Sequence, residues 1–142
     1  MASRLTKLLA GAALVTLSIT AAHAQGASAF DGNWVVVTVC EKAFDGAAAY
    51  KLRFLATVKN GVFHGENGVQ GEAGFLTLDG TIAPDGNAVL RAQGLTADPV
   101  YNVGRAAPAM PFTYHVKSQF TARQGTGTRL ELRPCENAYT KQ

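Results

Sequence analysis

Cysteine, histidine and serine are all scarce in this chain, and each shortage excludes a chemistry. There are two cysteines, Cys40 and Cys135, and beyond residue 24 only two histidines, His64 and His115. A zinc-type centre needs about four such ligands at short spacing, so no metal and no cofactor is expected. Beyond residue 24 the serines are Ser28 and Ser118, with no Gly-x-Ser-x-Gly elbow to present a nucleophile. The stretch Gly125-Thr126-Gly127-Thr128 imitates a phosphate cradle, but it lacks the following lysine and the strand-to-helix setting. A hairpin turn accounts for it. Clusters of lysine and arginine are missing too, which argues against nucleic acid as a partner. This inventory points away from an enzyme.

Long apolar runs are confined to the start. Arg4 and Lys7 precede an apolar stretch from Leu8 to Ile19, and Ala22-His23-Ala24 supplies a small-x-small cleavage pattern. The run is short for a membrane span of roughly 20 residues. Residues 1–24 therefore read as a secretory signal peptide, leaving residues 25–142 as a single domain in the periplasm or outside the cell, with no membrane span after cleavage. Losing Arg4 and Lys7 takes the basic side chains from 13 to 11 against 10 acidic ones, so the basic pI overstates the charge. Two cysteines in an exported chain are most simply one disulfide.

Helical sequence is also sparse. The 15 glycines, with Asn60-Gly61 and Asp85-Gly86, punctuate the chain too often for long helices. Between them lie alternating runs of strand length. Tyr50, Leu52, Phe54, Ala56 and Val58 share one face, with Lys51, Arg53, Leu55 and Thr57 on the other. Asn60-Gly61 signals a tight hairpin. Leu76, Leu78, Gly80 and Ile82 share a face, as do Phe112, Tyr114, Val116, Ser118 and Phe120. Near the end, Thr128, Leu130 and Leu132 are assigned to the inside and Arg129, Glu131 and Arg133 to the outside. The sum is about eight strands in an all-β chain. A small antiparallel up-and-down β-barrel is the preferred architecture, with a sandwich as the other way to join the same points. In the barrel, Cys40 ends the first strand beside Cys135 at the start of the last, and the disulfide locks that seam. Charges at alternate strand positions disfavour a membrane barrel.

The opening Gly32-Asn33-Trp34 resembles the Gly-x-Trp start of the calycin barrels, the lipocalins, avidins and fatty-acid-binding proteins. That resemblance implies a tryptophan closing one barrel end under a basic side chain, for which Arg129 or Arg133 is the candidate. The longer pattern Phe30-Asp31-Gly32-x-Trp34…Cys40, Leu78-Asp79-Gly80-x-Ile82-x-x-Asp85-Gly86, Tyr101-Asn102-Val103-Gly104 and Gly125-Thr126-Gly127-x-Arg129…Cys135 resembles an uncharacterised family of small exported bacterial proteins. It carries no catalytic residue over.

Leu95 to Pro111 is about twice the length of an ordinary connection. It holds Tyr101, Asn102 and Arg105, useful recognition side chains, and a lid over one barrel mouth is the expected geometry. The function expected is non-enzymatic binding of a small or hydrophobic ligand at that mouth. The alternative is a periplasmic inhibitor or protein-interaction module acting through the 95–111 loop or the leader Gln25 to Ala29. His64 with His115, and Glu66 with Glu72, are the remaining acid–base candidates, and neither pair has a partner evident in sequence.

Overall fold

A computed structural model describes residues 29–142, and the leader expected over residues 1–24 lies outside that range. Eight antiparallel strands form a closed barrel in sequence order. They are β1 (Gly32–Cys40), β2 (Tyr50–Lys59), β3 (Val62–Asn67), β4 (Leu76–Thr81), β5 (Asn87–Leu95), β6 (Pro111–Phe120), β7 (Gln124–Arg129) and β8 (Cys135–Lys141). The last strand pairs with the first from Trp34↔Lys141 to Cys40↔Cys135, and a disulfide joins that final pair with the Cα atoms 4.2 Å apart. The barrel and its sulfur-locked seam are as the sequence implied.

Turn chemistry explains the meander. Asn60 and Gly61 both take positive φ (51° and 75°), the conformation that a two-residue hairpin needs to match strand twist. The Asp31 carboxylate accepts hydrogen bonds from the amides of Asn60 and Gly61 at 2.9 and 3.1 Å. Those amides, Gly61 first, hold its carboxyl below the usual range. The Asp-Gly-x-Trp opening thus fastens the neighbouring hairpin as well as starting β1.

The interior is filled at one end. Phe30, Trp34, Phe63, Phe120 and Tyr139 are buried there in edge and tilted contacts, with Phe120 4.6 Å from Tyr139 and 5.5 Å from Trp34 between ring centroids. The Trp34 indole donates to the Phe30 carbonyl at 2.8 Å, which satisfies its buried N–H. Room for this plug comes from β7, where Gly125 and Gly127 face inward. A methyl group on Gly127 would sit 2.6 Å from Ser118 Oγ and 2.8 Å from the Tyr139 hydroxyl.

That same parity reverses two assignments. Once Gly125 and Gly127 point in, Arg129 must as well, and it is 9% exposed. Beyond it the chain leaves the sheet, Leu132 takes φ 72°, and Arg133 is buried at 4%. Leu130 and Leu132 are exposed at 55% and 54%, Leu132 bordering the cavity described below. Among the described residues no basic side chain stacks on Trp34. Arg129 and Arg133 lie at the opposite barrel end, beside the disulfide, where Arg129 stacks on Tyr114 at 3.6 Å and Arg133 on Tyr50 at 5.2 Å. The outer wall carries exposed Lys51, Arg53, Arg91, Lys117 and Glu136.

Candidate functional site

The disulfide end of the barrel is hollow. A cavity of about 860 Å³ opens there, walled by the inward side chains of Tyr50, Leu52, Leu76, Phe112 and Tyr114 and roofed by the segment from Leu95 to Pro111. The volume lies within the range of small-molecule sites. Strand parity makes the walls apolar, since each wall residue continues an inward row whose deeper members (Phe54, Leu78, Val116) are core.

The roof is folded, not loose. Pro99–Tyr101 and Val103–Arg105 are short 3₁₀ turns, the first capped by Asp98 accepting from the Val100 amide. Asn102 Nδ2 donates to the carbonyls of Ala97 and Ala106 at 3.0 and 2.7 Å, closing the loop on itself. Thr96 ties the two arms, donating from Oγ1 to Ala107 O and accepting from the Met110 amide. A second set of bonds clasps the roof to the β1–β2 connection. Ala48 N donates to Val100 O, Gly104 N donates to the Asp45 carboxylate at 2.7 Å, and Arg105 donates to Val100 O and Gly46 O. The Gly104 and Ala47 amides hold the Asp45 carboxyl below its usual range.

Arg133 is the knot beneath this clasp. Its guanidinium donates to the carbonyls of Tyr101 at 3.1 Å, Ala48 at 3.2 Å and Glu41, so one side chain ties the roof to both ends of the β1–β2 connection. Its Nε is buried without a partner among the described residues. Arg129 is arranged differently. Nε donates to Glu131 O at 2.8 Å and Nη1 lies 3.8 Å from Cys135 Sγ, with the Tyr50 hydroxyl as the one other polar side-chain neighbour. Burial lowers the Arg129 guanidinium from its usual value, and burial likewise pushes the adjacent Tyr114 phenol up to about 12. Tyr114 is therefore a hydrogen-bond donor throughout the ordinary pH range.

Of the residues singled out in sequence, Tyr101 and Asn102 line the cavity and Tyr101 also meets Tyr50 edge-on at 6.1 Å. Arg105 is not among the lining residues; it serves the clasp. Sequence reasoning overlooked Arg129 as a cavity residue because the strand was read in the wrong parity. The alternation of polar Gln124, Thr126 and Thr128 with glycines was the available signal. Comparison with protein-family models, with curated proteins and with solved structures finds no match.

The acid–base candidates lie on the outer wall. His64 Nδ1 donates to Asp79 at 2.5 Å and Nε2 sits 3.3 Å from Glu66, the side chain half exposed. His115 Nδ1 donates to Glu131 at 2.7 Å, and the other Glu131 oxygen accepts the His115 amide. Those bonds, the amide first, hold the Glu131 carboxyl below its usual range. Glu72 belongs to the turn after β3 and is exposed. Asp79, chiefly through its hydrogen bond, raises His64 above its ordinary value of about 6.5. His64 therefore contributes stability that is complete below about pH 6.5 and is lost as pH rises through its folded value. An NMR titration is expected to place its midpoint above 6.5 and Asp79→Asn to bring it back; a wild-type midpoint at or below 6.5 overturns the pairing.

Proposed function

We infer that this protein is an exported, non-catalytic barrel that binds a small hydrophobic ligand in the cavity at its disulfide end. One observation carries the reading: a cavity of about 860 Å³ with apolar walls beneath a roof that its own hydrogen bonds hold in place. The clasp between Asp45, Gly46, Gly104 and Arg105 supports a lid in preference to a loop that projects into a partner. The placement of His64 and His115 on the outer wall, engaged with carboxylates, supports binding over catalysis. The charged outer wall supports an aqueous location over a lipid-facing one, since a lysine or arginine at mid-bilayer costs a barrel roughly 2–4 kcal/mol.

The test is uptake of a neutral apolar dye such as Nile red by the purified, disulfide-intact protein. Wild type is expected to bind it at one site, with blue-shifted emission. Leu52→Trp, which fills the wall at a half-buried position, is expected to weaken binding at least about tenfold with little change in melting temperature. No uptake by wild type above that of an unrelated protein overturns the reading.

A further inference from the structure

The charged groups lining this apolar cavity are all of one sign. They are Lys51, which is exposed, and the buried Arg129 and Arg133, and among the described residues lining it there is no aspartate or glutamate. A buried guanidinium ordinarily has a carboxylate or a full set of carbonyl acceptors, because the cation otherwise loses its hydration without compensation. Arg133 has three carbonyls, which leave only its Nε unpaired among the described residues. Arg129 has one: its ring-facing side rests on Tyr114, Nε donates to the Glu131 carbonyl, Nη1 meets a disulfide sulfur, and the Tyr50 hydroxyl is its one other polar side-chain neighbour, with no carboxylate against it among the described residues. The carboxylate nearest in sequence, Glu131, is turned to the outer face and occupied by His115.

Resting on the binding function inferred above, we propose that the cavity selects an amphipathic anion. Its acid group pairs with Arg129 beside the Tyr114 hydroxyl, and its aliphatic or aromatic body lies against Leu52, Leu76, Leu95 and Phe112. A guanidinium with a free N–H in a low-dielectric wall is half of a charge-assisted hydrogen bond. The phenol beside it stays protonated and adds a second donor. A ligand with a hydroxyl in place of the acid fills the same volume but leaves the cation unpaired. A ligand with an ammonium group meets like charge.

The experiment compares decanoate, 1-decanol and decyltrimethylammonium, equal in chain length and kept below micelle concentration, as displacers of Nile red and by calorimetry. Wild type is expected to bind decanoate about tenfold to a hundredfold more tightly than decanol, the effect of a hydrogen bond to a charged group, and the ammonium most weakly. Arg129→Gln is expected to remove that preference while leaving decanol affinity within about threefold, and Arg129→Lys to restore part of it. Equal binding of acid and alcohol by wild type overturns the proposal and leaves the hydrophobic-binding function standing; failure of every ligand and of Nile red overturns both. If Arg129→Gln lowers decanoate and decanol affinity equally, together with melting temperature, Arg129 is a structural bolt and the proposal fails. Should that variant not fold, the wild-type acid-to-alcohol ratio and its decline with added salt decide the matter.

Discussion

Removing both cysteines, as Cys40→Ala with Cys135→Ala, is expected to destabilise the barrel by about 4–5 kcal/mol. The two residues are 95 apart in sequence, so the bridge closes most of the domain into one loop and removes that closure entropy from the unfolded chain. A single domain has only about 5–15 kcal/mol in hand, and the melting temperature should fall by roughly 15 °C. The loss has a place in the fold. Seven residue pairs, Trp34↔Lys141 to Cys40↔Cys135, hold β1 to β8 at the seam, and the bridge sits at the cavity end of that ladder. Hydrogen exchange should therefore accelerate first at Val39, Glu136 and Asn137, and last at the aromatic plug around Trp34. Cys135 Sγ also touches Arg129, so anion uptake should weaken in the same variant. A melting temperature within a few degrees of wild type under non-reducing conditions, with the seam still protected, would show that the bridge is incidental.

Much of this architecture was legible because most strands state their parity twice. In β2, charged Lys51 and Arg53 agree with apolar Phe54, Ala56 and Val58 about which side is in, and the Asn60-Gly61 turn fixes the register with β3. β7 states it once, and weakly. Its inner positions are Gly125 and Gly127, kept bare so that Phe120 and Tyr139 can fill the barrel, and a glycine gives no hydrophobic signal. Leu130 and Leu132 then supplied a false one, from a segment that is not strand at all. The burial of Arg133 was illegible for a different reason. Its acceptors are carbonyls of Glu41, Ala48 and Tyr101, brought to it by connections 32 to 92 residues away. Arg105 shows the limit in the other direction. The loop was recognisable from its length, but Gly104 and Arg105 both take positive φ (70° and 54°), and the Arg105 side chain bonds to the clasp instead of lining the cavity.

Arg133→Met is the second large effect expected, at about 3 kcal/mol. Three carbonyls lose a charged donor, each worth roughly 1.5–3 kcal/mol in isolation. Two of them, in the connections before β2 and before β6, can turn to water once released, and methionine also abolishes the orphaned Nε. Both effects reduce the sum. What remains should fall unevenly across the molecule. The plug end has no contact with this side chain, whereas the roof and the β1–β2 connection are joined through it, so exchange of amides in residues 42–49 and 97–106 should rise well before that of β3 or β4. Nile red should bind more weakly because the roof residues that line the cavity are no longer held in place. Arg133→Lys should recover little, since one ammonium on a flexible stem cannot span three carbonyls set by a planar fork. The contrast is Arg105→Met, which removes two exposed bonds from the same roof and should cost no more than about 1 kcal/mol. Equal and small losses for both arginines, with unchanged exchange in the roof, would mean that the clasp at the rim and not the buried cation holds the roof in place.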